Sequence, residues 1–182
     1  MQHVGQPMRY SDLEHLPPDG SRRELFDGAL LSVPPPSAEH DAVVARLEAV
    51  LVEHSRRHGG QVVHGPVPLV LSPHDVVLPD LVFFHASRSS LIHDIPPIRH
   101  APDLIAEVLA SNTAAIDRGP KMRLFARRGV LEYWLVDPEN ASVEVHILRD
   151  GHYELFQQAF GRDSVRSTIL PDLTLVVATI FP

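Results

Sequence analysis

The chain has 182 residues, of which 44% are hydrophobic and 21% charged, and its formal net charge is −7. This length and composition predict one globular domain over residues 1–182, and the negative charge argues against a strong general nucleic-acid binder. Cysteine is absent, no apolar run reaches the ~20 residues of a membrane-spanning helix, and residues 1–10 lack a signal-peptide layout, so we expect a cytoplasmic protein without membrane contact.

Turn and capping signals divide the first 60 residues into three predicted elements. Ser11 and Ser37 are candidate N-caps, and Asp27-Gly28 is the two-residue turn signal of a type I′ hairpin. Pro17-Pro18 and Gly59-Gly60 are stop signals for the two helices. The elements are a short helix over 12–16, a hairpin over 24–33 and a long helix over 38–58. The long helix is expected to bury an apolar stripe at the 3.6-residue period, formed by Val43, Leu47, Val50, Leu51 and His54.

Short apolar runs separated by turn residues predict strands in the remainder of the chain. The predicted strands cover residues 61–64, 67–71, 76–84, 104–110, 131–137, 143–149, 153–157 and 168–177. Residues 86–102 contain several Ser, His and Pro and are interpreted as a loop, whereas 114–128 predict a second helix that Gly129 ends. The continuous run 104–110 is typical of a central strand covered on both faces.

Two acids mark the strand region as a candidate metal site. Asp80 follows Pro79 at the start of an apolar run, and Glu107 interrupts the strand over 104–110. Mg²⁺ typically takes one or two carboxylates together with waters and substrate phosphates, so these acids could hold it if their strands are neighbours. A carboxylate within an apolar strand is costly to bury unless it is paired or metal-bound. The alternative for Glu107 is a strand-edge ion pair with an arginine.

Lys121 is the only lysine among the 16 Lys and Arg residues of the chain. A compact ammonium can serve beside an attacking water or a phosphate oxygen where a planar guanidinium cannot. Asp117 lies four residues earlier on the predicted helix, and it could either orient the amine or form a surface ion pair worth ~0.3–0.5 kcal/mol. An accidental survivor in an arginine-rich chain is the other interpretation of the lone lysine.

Two further patterns have competing interpretations. The helix of Lys121 also carries four arginines, which could face a phosphate backbone or simply form a solvated surface: Arg118, Arg123, Arg127 and Arg128. His54 and His58 have the i, i+4 spacing of two zinc ligands, but Ser55 stands where the His-Glu-x-x-His motif has glutamate, and no third ligand is evident. A zinc hydrolase built on these two histidines is therefore a third option, and we expect elemental analysis to find no stoichiometric zinc.

Six segments in order resemble the Uma-two family of restriction-endonuclease-like proteins, a bacterial branch of the PD-(D/E)xK nuclease superfamily. They are residues 24–30, 34–40, 79–82, 102–111, 117–121 and 129–138. The resemblance implies an α/β, restriction-endonuclease-like core with a mixed, bent sheet flanked by helices, an N-terminal β-hairpin and C-terminal antiparallel strands. It also implies that Asp80 and Glu107 bind metal, and that Glu24 and His40 occupy further motif positions. Leu109 departs from the superfamily pattern, because the lysine of its Glu-x-Lys element belongs there.

Residues and resemblance together predict an endonuclease that hydrolyses DNA phosphodiester bonds with Mg²⁺ or Mn²⁺. We expect Asp80, Glu107 and the backbone carbonyl of Val108 to hold the ion, and Lys121 to position or help deprotonate the attacking water. The alternative is a catalytically silent module that binds DNA or protein, which the net charge and Leu109 favour. A duplex-cutting enzyme needs two sites, so we also expect a homodimer, with the hairpin over 143–157 at its axis or at an ordinary sheet edge.

Overall fold

The computed structural model describes residues 6–17, 19–92 and 96–182, and within them the strands form two sheets. The strands are β1 (Arg22–Phe26), β2 (Ala29–Val33), β3 (Gln61–His64), β4 (Leu69–Ser72), β5 (Asp75–Val77), β6 (Leu81–Phe84), β7 (Leu104–Val108), β8 (Glu132–Asp137), β9 (Ser142–Arg149) and β10 (His152–Phe160). The helices are α1 (Tyr10–Glu14), α2 (Ala38–His58), α3 (Ala114–Ile116) and α4 (Met122–Arg127), and a π turn (Asp117–Lys121) joins α3 to α4. The predicted α/β architecture is confirmed.

The larger sheet is mixed, as predicted, and has the strand order β10-β9-β8-β7-β6-β3. β7 and β8 run parallel, and the other neighbours are antiparallel. The smaller sheet has the order β2-β1-β5-β4. Both predicted hairpins are present, and Asp27-Gly28 and Asp150-Gly151 have the positive φ angles that a type I′ turn needs.

Apolar side chains cover both faces of the larger sheet. One face packs against α2 and the C-terminal segment, and the other packs against α4 and strands of the smaller sheet. Helix α2 has the predicted bounds, and the side chain of Ser37 accepts a hydrogen bond from the His40 N–H. Val43, Leu47, Leu51 and His54 are buried and Val50 is half-buried, so the predicted stripe faces the core.

The strand predicted over 76–84 is wrong, because the chain leaves one sheet and enters the other within it. Residues 78–80 separate β5, in the smaller sheet, from β6, in the larger one. Pro79 has no N–H for a ladder, and the Leu78 N–H donates instead to the Glu24 side chain at 2.8 Å. This crossing places Asp80 at the junction of the two sheets.

The strand predicted over 168–177 is also wrong. The buried carboxylate of Glu132 accepts hydrogen bonds from the Thr168 N–H and hydroxyl, the Ser167 hydroxyl and the Trp134 indole N–H. These bonds hold residues 167 and 168 without a strand partner, and the end of the segment meets residues 163–165 through the isolated bridge between Ser164 and Val176. The segment therefore packs as an irregular cover over the core.

Three other predicted segments differ from the structure in detail. Helix α1 begins at Tyr10 after Arg9, not at the predicted cap Ser11. A 3₁₀ helix over Ala86–Ile92 occupies part of the predicted loop. The predicted second helix contains a π turn. Pro18 and residues 93–95, which belong to predicted stop and loop segments, lie outside the described residues.

Candidate active site

Asp80 and Glu107 lie side by side because β6 and β7 are neighbours in the larger sheet. Leu81 pairs with Ala106, which sets Asp80 opposite Glu107. The Asp80 N–H donates to Glu107 Oε2 at 3.3 Å, and the Val108 N–H donates to Asp80 Oδ2 at 2.9 Å. The sequence analysis expected the two acids to share a site if their strands were neighbours, and these strands are neighbours.

The π turn brings Lys121 into the same site. Pro120 lies within this turn, and π turns insert one residue into a helix, which here directs both Asp117 and Lys121 inward. Lys121 is only 6% exposed, and its Nζ lies 2.8 Å from Glu107 Oε1 and 3.1 Å from Asp117 Oδ1. The Tyr133 hydroxyl donates to the Asp117 carbonyl and holds the turn against β8. A solvated surface pair of Asp117 and Lys121 is therefore excluded.

Glu24 and His40 also reach the cluster, and their contacts supply the roles that the sequence did not. Glu24 is buried on β1, where its Oε1 lies 3.5 Å from Lys121 Nζ and accepts the Leu78 N–H. His40, in the first turn of α2, places its Nε2 3.1 Å from Asp80 Oδ2. Glu24 thus connects the amine to the inter-sheet crossing, and His40 orients the carboxylate of Asp80.

Negative charge exceeds positive charge around Lys121. Burial alone would lower the pKa of Lys121, but its three carboxylate neighbours, Glu107 first, raise it well above its usual range. Burial raises the pKa of Glu107 well above its ordinary value; Lys121 opposes this rise, and repulsion from Asp80 and Asp117 adds to it. The ammonium therefore stays charged at neutral pH, and Glu107 is the carboxyl group of the cluster whose pKa burial raises.

Asp80 and His40 shift in the directions expected of an ion pair. Burial would raise the pKa of Asp80, but the hydrogen bond and charge of His40, the Val108 N–H and Lys121 lower it. Burial would lower the pKa of His40, but the hydrogen bond and charge of Asp80 raise it. The pKa of Asp80 is thus lowered while that of Glu107 is raised, so these adjacent acids shift in opposite directions.

A cavity of about 770 Å³ opens onto these groups. All seven predicted site residues line it: Glu24, His40, Asp80, Glu107, Val108, Asp117 and Lys121. Its walls also include Arg22, the segment Pro34–Pro36 and the segment Ser111–Thr113, none of which was predicted to be a site residue. These walls come from the smaller sheet and from the loop after β7, whose proximity depends on tertiary packing.

The donor set fits a hard divalent cation that retains water ligands. Within residues 6–17, 19–92 and 96–182, no three His, Asp or Glu side chains form a metal-binding group. Asp80 and Glu107 supply two carboxylates facing the cavity, and Val108 contributes backbone at the same wall. Two carboxylates completed by water and substrate oxygens suit Mg²⁺ or Mn²⁺ better than a metal that needs a full protein cage.

The remaining sequence candidates have structural roles. The His54 Nε2–H donates a hydrogen bond to the Pro171 carbonyl, and the ring stacks on His58, an arrangement that offers no zinc site within the described residues. Three arginines of the second helical segment are paired with carboxylates on other elements: Arg118 with Glu144, Arg127 with Asp27 and Arg128 with Asp75. Only Arg123 of this set makes no such pair among the described residues.

Gly65 supports Asp80 from behind, and Gly65→Ala tests that support. A Cβ at this position would lie 2.4 Å from the Pro79 carbonyl oxygen, and the Gly65 N–H donates to the Asp80 carbonyl. Because backbone must move to relieve this clash, we expect a loss of about 1–3 kcal/mol in unfolding free energy and weaker Mn²⁺ binding. Denaturant unfolding and calorimetry measure the two effects. Gly119→Ala is the control, since its Cβ meets only Arg123 at 3.7 Å, and equal behaviour of the two variants would contradict the prediction.

Comparisons with known proteins bear on the family and the fold of the chain. The family model "Uma2: Putative restriction endonuclease" matches residues 10–178. A crystal structure from Anabaena variabilis, described as a putative nuclease belonging to DUF820, superposes with a TM-score of 0.78 and 19% sequence identity, covering 96% of this chain and 98% of that chain. No curated protein matches the sequence significantly. At this identity the superposition shows a shared fold.

Proposed function

Since the chain belongs to the Uma2 family of restriction-endonuclease-like proteins, we propose that it is a metal-dependent endonuclease of the PD-(D/E)xK type that hydrolyses DNA phosphodiester bonds. The observation that carries the proposal is the buried ammonium of Lys121, 2.8 Å from Glu107, beside the adjacent acids Asp80 and Glu107 at the wall of an open cavity. Amine and paired carboxylates are the groups that this chemistry requires.

A divalent ion held by Asp80, Glu107 and the Val108 carbonyl would supply Lewis-acid activation of the phosphate and a lowered pKa for an attacking water. Lys121 is a charged donor at neutral pH, so we assign it the positioning of that water and the offsetting of developing negative charge, and not the role of a base. His40 keeps Asp80 ionised and oriented. Asp117 and Glu24 hold the ammonium in place.

Lys121 also bears on the departure at Leu109. The usual motif position is occupied by Leu109, which is buried in the apolar core and has no amine. Lys121 comes from the following helical segment and contacts the same glutamate that a motif lysine would follow. The net charge of −7 supports the alternative of a catalytically silent module, most directly one that binds protein, because an acidic protein attracts DNA poorly.

A cleavage assay tests the proposal directly. Purified protein is incubated with plasmid and with single-stranded DNA in Mg²⁺, Mn²⁺ or EDTA, and we expect cleavage only with a divalent ion. Asp80→Ala should abolish cleavage, because it removes a carboxylate of the proposed metal site. Asp103→Ala is a control for loss of a buried acid, since Asp103 pairs with Arg88 away from the cavity. Cleavage by Asp80→Ala at the wild-type rate would sink the assignment.

We further propose that the protein acts as a homodimer in the cytoplasm. β10 is an outer strand of the larger sheet, and it exposes Leu155, Phe156 and Phe160. Apolar side chains on an edge strand favour pairing with a second copy, and two-fold dimers are the commonest oligomers. Light scattering at micromolar concentration should give twice the 20.2 kDa chain mass. A monomeric mass would remove the proposal, and Leu155→Lys should produce that mass if β10 forms the interface.

The structure adds one finding about membranes. Within the described residues, no helix is both long and apolar enough to cross a bilayer.

A further inference from the structure

Arg22 is a guanidinium at the wall of the acidic cavity, and no hydrogen bond or ion pair joins it to another side chain among residues 6–17, 19–92 and 96–182. It lies on β1 two residues before Glu24, and because side chains alternate along a strand, both point to the same side of the smaller sheet. Both residues line the cavity of about 770 Å³. Arg22 is half-buried, and its Nε is shielded from solvent without a hydrogen-bond acceptor in the described part of the chain.

This situation differs from that of the neighbouring arginine on the same strand. Arg23 points away from the cavity, pairs with Asp19 and donates to the Pro17 carbonyl. A shielded guanidinium N–H that lacks an acceptor is unfavourable, since the donor loses its hydrogen bonds to water and gains none from the protein. An anion entering the cavity would satisfy Arg22, and Arg binds phosphate through two parallel hydrogen bonds.

The position of Arg22 indicates which phosphate it would bind. Glu24 lies 3.5 Å from Lys121 Nζ, so Glu24 is at the reacting centre. Arg22 precedes Glu24 by two residues on β1, so it lies roughly 7 Å from Glu24 at the rise of an extended strand. Arg22 pairs with Val33, next to the Pro34–Pro36 wall. Arg22 therefore lies in the same cavity as the reacting centre but beside it, not at the phosphate that would be cleaved.

We propose that Arg22 is a substrate-binding residue that grips a non-scissile phosphate of the nucleic-acid strand, next to the one that is cleaved. This inference rests on the proposed nuclease function and adds a phosphate subsite to it. The subsite would hold the strand in register over Asp80 and Glu107, and it would offset the negative charge of the cavity locally although the whole chain is acidic.

The test measures binding of a short fluorescein-labelled oligothymidylate by anisotropy in EDTA, where cleavage is not expected. Arg22→Gln should weaken binding about tenfold and reduce the salt slope of log K by about 0.7, the value for one contact to a single strand. Arg22→Lys should fall between, because it keeps charge without paired hydrogen bonds. Arg23→Gln, which removes the same charge from the opposite side of β1, should stay within about twofold of wild type.

A second arm needs no folded variant beyond Arg22→Gln. Uncharged methylphosphonate is introduced at each phosphate of the oligonucleotide in turn, and wild-type protein should lose affinity at one position that no longer matters in Arg22→Gln. In Mn²⁺, the variant should show a raised KM with a smaller change in kcat. If wild type cleaves DNA but Arg22→Gln and Arg23→Gln behave alike, only the subsite is refuted. If wild type neither binds nor cleaves DNA, the nuclease function fails and the subsite fails with it.

Discussion

Lys121→Met should lower metal-dependent DNA cleavage by about 10²–10³-fold, the cost of removing one positioned donor from a developing negative charge. Mn²⁺ binding should persist, because the change removes a competing cation from among carboxylates and leaves Asp80 and Glu107 in place. Lys121→Arg should also impair cleavage, since a planar guanidinium does not fit where an ammonium contacts three carboxylates. Single-turnover cleavage and calorimetric titration separate the two effects.

The same variant should be markedly less stable without metal. Lys121 is buried, and its removal leaves Glu24, Glu107 and Asp117 facing one another without a cation. Breaking a buried ion pair costs about 3–5 kcal/mol of unfolding free energy. Mn²⁺ should restore more stability to Lys121→Met than to wild type, because the ion then supplies the missing positive charge. Equal stabilisation of the two proteins by Mn²⁺, or unchanged cleavage by Lys121→Met, would show that the amine does not share a site with the metal.

Local sequence signals predicted most of the secondary structure and failed where a distant side chain intervened. The bounds of α2 follow from Ser37 and Gly59, both adjacent to the helix. The break within 76–84 depends on Glu24, more than 50 residues earlier, which takes the Leu78 N–H. The cover formed by 168–177 depends on Glu132 in the same way. Pro79 is a local signal of the first break, but the glutamate that each segment contacts cannot be identified from the segment itself.

The acids of the candidate site show the same limit. An acid in an apolar strand drew attention to Glu107, but Glu132 begins a comparable run and is fully buried for a structural reason. Only the fold separates them, because Glu107 faces Lys121 and the cavity whereas Glu132 faces the C-terminal segment. Lys121 stands out in the sequence because it is the only lysine, whereas its burial depends on a π turn that the hydrophobic periodicity does not reveal.

Glu107→Gln should reduce Mn²⁺ affinity by more than the ~10–100-fold that follows loss of an outer-shell partner, and should abolish cleavage. Glutamine keeps the shape of the side chain and an oxygen acceptor for Lys121, but it has no negative charge for a cation. In wild type, the pKa of Glu107 is raised and a metal binds its ionised form, so Mn²⁺ affinity should increase with pH. This dependence should flatten in Glu107→Gln, leaving the smaller contribution of His40, whose pKa is also raised.

The metal-free proteins should differ in their pH–stability profiles. Below about pH 4.3, the ordinary pKa of a glutamate, Glu107 is protonated in both states and adds no slope. Above that value the unfolded chain releases the proton while the folded chain keeps it, so the free energy of unfolding falls by about 1.4 kcal/mol for each unit by which folding raises this pKa. Glu107→Gln carries no such proton, and its stability relative to wild type should therefore increase with pH. A constant difference across this range, measured by denaturant unfolding in EDTA, would mean that Glu107 is ionised in the folded protein and that the cluster does not hold the proton that a metal must displace.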